Sequence, residues 1–348
     1  MTRMEFDPDG AALPDGGIYG LPTTVDDAKV ILIPVPWDAT TSYRRGTAGG
    51  PAAILAASGQ IDLFDVETGT PYRAGIAMLP QSPDVQAWNA LAQRLADPVI
   101  AAAGRFQGDA ALERAVAQVN ELSERVDRWV AAETERWLDA GRIVGVVGGD
   151  HASPFGAIQA VARRHPGMGV LHVDAHADLR DAYEGFTGSH ASIMFNVAHR
   201  IPEVARLVQV GIRDLSEAEY DLMRGSGGRI TAHFDSAMRA RLLAGEPWTA
   251  CCAAIVADLP QDVYISFDID GLDPTLCPHT GTPVPGGLSF AEATYLIGAV
   301  VRSGRRIVGF DLTEVAPGPA GDEWDANVGM RLLYKLIGWT LVSRGLAG

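Results

Sequence analysis

The chain is poor in cysteine. Three occur in 348 residues, adjacent at Cys251 and Cys252 and alone at Cys277. That count argues against a disulfide framework, and without a CxxC pair no structural zinc motif is present. Positive charge is also scarce: 28 Lys and Arg stand against 43 Asp and Glu, a formal −15 at pH 7. Such a chain is a poor partner for nucleic acid and draws small cations toward it. No apolar run approaches the roughly 20 residues that cross a bilayer. Residues 1–20 are polar and rich in Gly, Pro and Asp, unlike a signal peptide. A cytoplasmic protein with no membrane partner is expected. Internal repeats and long linkers are missing too. The glycines of 145–149 and 46–50 fit neither a dinucleotide fingerprint nor a P-loop.

What remains is a chain with 47% hydrophobic residues, enough for a sizeable core. Short Val- and Ile-rich runs at 30–35, 143–147, 169–173, 207–210, 263–267 and 307–310 are apolar throughout instead of alternating, as strands covered on both faces must be. Helical patterns fall at 154–164, 216–224 and 290–303. This rhythm predicts an α/β fold, a three-layer α/β/α sandwich around a mainly parallel sheet. A single domain over 1–348 is expected, with a helical insertion at about 84–141. Within it Leu112, Val116, Val119, Leu122, Val126, Trp129 and Val130 recur at helical spacing, the mark of an amphipathic packing helix. Gly104 and Gly108 predict a break between two helices.

Three acidic strings follow three of these apolar runs: Gly148-Gly149-Asp150-His151, Asp174-Ala175-His176-Ala177-Asp178 and Asp268-Ile269-Asp270-Gly271. In open α/β sheets ligands bind at the carboxyl ends of strands. His151, Asp174, His176, Asp178, Asp268 and Asp270 are therefore the candidate metal ligands. If the strands continue through the strings, a spacing of two turns Asp174, His176 and Asp178 to one side, and Asp268 and Asp270 likewise. Any one string alone is more often a turn or a cap; three at strand ends are not. An EF-hand reading fails, because the twelfth residue counted from Asp268 is His279 and not Glu. Carboxylates crowded together protonate unless cations sit among them, and two divalent ions sharing carboxylates relieve that while activating water. An oxygen-rich set with imidazole and no thiolate suits manganese, with nickel as the alternative.

These strings resemble the ureohydrolase family of arginases, agmatinases, guanidino-acid hydrolases and formimidoylglutamases. Further matches are the run from Thr41 to Thr47, Asp268 to Pro274, Thr280 to Pro283, and Thr313-Glu314-Val315-Ala316-Pro317. The resemblance implies an arginase-like fold and a binuclear manganese centre. In that pattern His151 and Asp178 bind one ion, His176 and Asp270 the other, and Asp174 and Asp268 bridge. A bridging hydroxide attacks the guanidinium carbon, and urea and an amine leave. Glu314 looks like the carboxylate that receives the guanidinium, where a charge-assisted pair orients it. His190, in Gly188-Ser189-His190-Ala191-Ser192, looks like the proton-shuttling histidine. Asp178 is counted with these catalytic residues as well as with the ligands. The plainer readings are a strand-end surface carboxylate for Glu314 and a backbone-bonded loop histidine for His190. His165, His199, His233 and His279 carry no motif, and His172 reads as structural. The resemblance also implies a homo-oligomer, trimer or hexamer. A mixed oligomer with a related subunit stays open.

Two departures narrow the substrate. His190 is followed by Ala191-Ser192-Ile193, not by the Gly-Thr-Pro or Ser-Thr-Pro common in agmatinases. The arginase pattern places polar residues after the metal string to hold an amino acid; here Leu179-Arg180-Asp181 stands instead, which disfavours arginine. A small cationic guanidino substrate resembling agmatine is the leading expectation. The strings at 183–186 and 189–192 also resemble a divergent branch with nickel-dependent hydrolases of free guanidine and of biguanides such as metformin. A guanidino-acid hydrolase or formimidoylglutamase is a further alternative. A mononuclear zinc deacetylase and a non-catalytic subunit come last, since all six ligands are present. Trp37 and Trp324 read as core residues or as the lining of a small pocket.

Overall fold

Val30–Val35 (β1) reads Val-Ile-Leu-Ile-Pro-Val and is buried along its whole length. Alternate residues serve opposite faces of the sheet: Val30 and Leu32 join one hydrophobic cluster, while Ile31, Ile33 and Val35 join another. Pro34 is tolerated because pairing with the neighbouring strand Ile76–Met78 (β2) stops at Leu32, so its missing N–H costs no ladder bond on that side. The computed structural model describes residues 6–13 and 15–346.

The remaining strands are Ile143–Gly148 (β3), Gly169–Val173 (β4), Arg206–Val210 (β5), Ile230–His233 (β6), Asp262–Asp268 (β7) and Arg306–Thr313 (β8). They form one eight-stranded sheet in the order β2-β1-β3-β8-β7-β4-β5-β6, and every pairing in it is parallel. The α/β/α expectation therefore holds, with the sheet wholly parallel. All six expected strands form. The two strands without a clear sequence signal, β2 and β6, are the edges.

Ten α-helices among the described residues cover the sheet: Gly50–Ala57 (α1), Pro83–Ala101 (α2), Ala110–Asp139 (α3), Phe155–Arg164 (α4), Ile193–Arg200 (α5), Glu217–Gly225 (α6), Asp235–Leu243 (α7), Trp248–Ala257 (α8), Phe290–Arg302 (α9) and Trp324–Ser343 (α10). The inner sides of α1, α8, α9 and α10 share one cluster with β1, β7 and β8. On the opposite face α2 and α3 pack on β1 and β3, and α4, α5 and α6 on β4 and β5. Ser216 and Ser289 close capping boxes with Glu219 and Glu292 and set the starts of α6 and α9.

The expected break near Gly104 and Gly108 separates α2 from α3. Asp109 caps α3 by accepting the backbone N–H of Ala111 and Leu112. Val116, Val119, Leu122, Val126 and Val130 are buried on one side of α3, whereas Leu112 and Trp129 sit at the margin of the contact. Trp37 is fully buried, and Trp324 is 49% exposed with its indole N–H donated to the carbonyl of Thr275. No helix among the described residues is long and apolar enough to cross a membrane.

Candidate metal centre

The acidic strings leave β3, β4 and β7, and Glu314 follows β8. These four strands are neighbours at the middle of the sheet, so their carboxyl ends deliver all the candidate residues to one place. Gly149 makes the first turn possible: its N–H reaches the carbonyl of Val35, and a Cβ there would lie 1.9 Å from the carbonyl oxygen of Trp37. His151 is thereby turned back over the sheet, 1% exposed.

The strands do not continue through the other two strings. β4 ends at Val173 and Asp270 lies in a single 3-10 turn, Ile269–Gly271. Convergence comes from loop hydrogen bonds instead of strand alternation. Asp174 accepts the His176 N–H at 2.6 Å, Asp268 accepts the Asp270 N–H at 2.7 Å, and Asp270 accepts the Ala175 N–H at 3.0 Å. Asp178 takes a left-handed backbone with φ 53°, and Glu314 does the same with φ 61°. Such strain in non-glycine residues gathers where a site over-determines the chain. The carbonyl of Asp178 accepts the N–H groups of Met194 and Phe195 at the start of α5, and the Glu314 N–H reaches Gly149.

Two carboxylate-lined imidazoles result. His151 Nδ1 lies 2.8 Å from Asp174 Oδ2, 3.3 Å from Asp268 Oδ2 and 3.4 Å from Asp178 Oδ2. His176 Nδ1 lies 3.1 Å from Asp270 Oδ2 and 3.4 Å from Asp174 Oδ1. Asp174 is shared by both rings. No Lys or Arg pairs with any of the four carboxylates among the described residues. Carboxylate oxygens and ring nitrogens facing common centres, with an excess of buried negative charge, fit divalent cations held between them.

The electrostatics carry the mark of that excess. Burial, then repulsion from Asp174, pushes the Asp178 carboxyl up to about 7. Burial, then repulsion from Asp270, pushes Glu314 up to about 8, although its Oε1 accepts the His151 N–H at 2.9 Å. Burial raises Asp268 as well, with Asp270 and Asp174 adding to it. Asp174 goes the other way: burial opposes ionisation, but His172, His151 and His176 hold it well below the usual carboxylate range. Burial works against a charged His176 ring too, yet Asp270 and Asp174 lift it to about 12.

Several partners carried no sequence signal. His151 Nε2 lies 2.9 Å from Ser266 Oγ, whose hydroxyl donates to Asp311 Oδ1 at 3.1 Å. With the hydroxyl proton committed to Asp311, Ser266 accepts from Nε2–H and leaves Nδ1 as the lone-pair nitrogen. His172 joins the cluster directly: its Nε2 lies 2.8 Å from Asp174 Oδ2, and its Nδ1 lies 2.9 Å from the Gln209 amide nitrogen. Burial keeps that ring neutral by lowering its pKa, so it serves as a donor that orients Asp174.

His190 stands at the mouth. It lines a cavity of about 180 Å³ together with Ser42, His176, Asp178, Arg180 and Asp214. Loss of hydration, then the charge of His176, pushes its pKa down to about 4, so the ring is neutral at pH 7 and not poised near neutrality as its type suggests. Its loop is gripped from α3. The Asn120 amide donates to the Gly185 carbonyl at 3.1 Å and accepts the Thr187 N–H at 2.9 Å. Phe186 is buried among Ala96, Val99, Ala115, Val116 and Val119 of α2 and α3. The helical segment thus holds the rim of the cavity.

The model of the arginase family matches residues 28–338. The N(1)-aminopropylagmatine ureohydrolase of Thermus thermophilus is 33% identical over 317 residues, covering 91% of this chain and 92% of that protein. The mitochondrial agmatinase of Gallus gallus is 32% identical, covering 90% and 82%. Among solved structures, the agmatine ureohydrolase of Thermoplasma volcanium superposes with a TM-score of 0.69 at 21% identity, covering 98% of this chain and 97% of that one. On this evidence of sequence across nine-tenths of its length, the chain belongs to the arginase family and is a hydrolase of C–N bonds in linear amidines.

Proposed function

We propose that the protein is a binuclear metal-dependent ureohydrolase whose substrate is a primary guanidine with a cationic tail, agmatine or an N-substituted agmatine. The observation that carries this reading is the pair of imidazoles, His151 and His176, each turned onto carboxylates and sharing Asp174. The names of the similar enzymes from Thermus thermophilus and Gallus gallus support the substrate class. His151, Asp174, Asp178 and Asp268 would hold one ion, and His176, Asp174, Asp268 and Asp270 the other, with manganese favoured over nickel. When bound, such a pair supplies Lewis acidity and brings the ionisation of water toward neutral pH.

The chain's own residues orient and move protons. Glu314 has one carboxylate oxygen on the His151 N–H and its second free to accept guanidinium N–H groups, fixing the plane of the cation for attack from one face. His190, neutral and lining the cavity, takes up a proton there and returns it to the departing nitrogen. Water adds to the guanidinium carbon, the bond to the substituted nitrogen breaks, and urea and an alkylammonium ion leave, so atoms and charge balance.

The test is a urea- and amine-release screen over guanidino compounds with protein reconstituted separately in manganese and nickel, alongside metal counting by native mass spectrometry. Two ions per chain and equal amounts of urea and amine from agmatine or N(1)-aminopropylagmatine are expected. No urea from any guanidino compound with either metal would overturn the reading.

A further inference from the structure

The rim of the cavity holds three charged side chains, and their pairing is uneven. Glu219, 4% exposed, is spent on local structure. Its Oε1 accepts the Leu179 N–H at 3.0 Å, and its Oε2 accepts the Ser216 N–H at 2.8 Å and the Ser216 hydroxyl at 2.7 Å. Arg180 is tethered as well: its Nε lies 3.8 Å from Glu219 Oε2 and its guanidinium carbon sits 5.1 Å from the centre of the Tyr183 ring. Asp214 is different. Its backbone is pinned beside the candidate metal string, since its N–H donates to the Ala175 carbonyl at 3.0 Å and it bridges His176. Asp214 lines the same cavity as His176, Asp178 and His190, yet its carboxylate makes no hydrogen bond or ion pair among the described residues. The adjacent cation forms no ion pair with it. Arg213 donates its guanidinium to the carbonyls of Gly211, Asp270, Leu272 and Val284.

Arg180 and Glu219 pair with one another, so among the described residues the rim keeps one carboxylate without an ion-pair partner, on a pinned backbone next to the reacting end. We propose that Asp214 is the specificity-determining residue of this site: it pairs with a second cationic group on the substrate's tail while the guanidinium end is engaged deeper in. The inference rests on the ureohydrolase reading above and adds to it which residue reads the tail. Arg180 is the rival reader, because an untethered guanidinium at this position would select a carboxylate tail instead.

Three substrates of matched length separate the possibilities: agmatine, with an ammonium tail; N-butylguanidine, with none; and 4-guanidinobutyrate, with a carboxylate. Steady-state urea release is measured for the metal-loaded wild type and for Asp214→Asn, with metal content and melting temperature recorded for each protein. The wild type is expected to prefer agmatine. Asp214→Asn is expected to cut the agmatine-to-butylguanidine ratio of kcat/KM by about tenfold, the size of one charge-assisted hydrogen bond, mostly through KM. Added salt should lower that ratio in the wild type and hardly in the variant. Asp214→Lys should raise the relative rate on 4-guanidinobutyrate, a change of sign that a folding defect cannot produce. An unchanged ratio in Asp214→Asn, or an equal loss on all three substrates, would overturn the assignment. So would a wild type that prefers 4-guanidinobutyrate, which transfers the role to Arg180. A wild type that releases urea from no guanidine removes the functional reading itself, a result distinct from active enzyme indifferent to Asp214.

Discussion

His151 and His176 touch the same carboxylate under opposite conditions. The His151 side chain is 1% exposed, faces three carboxylates, and has its far nitrogen on the Ser266–Asp311 pair. The His176 side chain is 25% exposed, faces two carboxylates and borders the cavity. One half of the cluster is closed and held from behind; the other opens toward whatever occupies the cavity. The contrast separates two needs of a hydrolytic site. Fixed geometry needs a dry, fully bonded surround, and turnover needs a face that substrate and water can reach.

Three substitutions test that contrast. Asp174→Ala removes the carboxylate common to both halves and should have the largest effect. Metal stabilisation is worth several kcal/mol and each 1.36 kcal/mol is a factor of ten, so turnover should fall by roughly a thousandfold. Mass spectrometry of the variant should find less metal in both halves; full occupancy with normal turnover would remove Asp174 from the centre. Ser266→Ala touches only the closed half. Losing the partner that orients a metal-binding imidazole costs about ten- to a hundredfold in affinity or activity. Calorimetric titration should show one of two binding events weakened, and equal weakening of both would erase the distinction between the halves. Asn120→Ala, which frees the rim loop on the open side, should have the smallest effect. Its hydrogen bonds are worth about 1 kcal/mol each, so KM should rise by a small factor with metal content unchanged. A loss of metal in this variant would mean that the loop supports the cluster itself.

Why some of this was legible in the sequence follows from burial. The strands at 30–35, 143–148, 169–173 and 262–268 are covered on both faces, so they read as unbroken apolar runs with sharp ends. The edges β2 and β6 are only three and four residues long, and β6 is half-buried, so neither stands out from loop. α10 buries Leu332, Leu333, Leu336, Ile337 and Leu341 together with Tyr334 and Trp339, and apolar residues on most of its sides blur the helical period. The six candidate ligands could be named because three Asp- and His-bearing strings, not one, follow apolar runs, where a single string would pass for a turn or a cap. The spacing of two misled about the cause: Asp178 and Asp270 arrive through a left-handed residue and a 3-10 turn, not along a strand. His172 reads as structural from its place two residues before Asp174, but the Gln209 amide that fixes its tautomer lies 37 residues away and meets it only in space.

By itself the sequence determined the kinds of donor, oxygen and imidazole without thiolate, and the strands they follow, because side-chain chemistry and local hydrophobic runs are written residue by residue. The tertiary structure alone decided that β8, last in the chain, lies between β3 and β7 and so carries Glu314 to the backbone of His151. It also decided that Arg180 is tied to Glu219 while the Asp214 carboxylate has no partner among the described residues. Strand order and charge pairing are settled by contacts between residues far apart in sequence, where packing and desolvation outweigh any local preference.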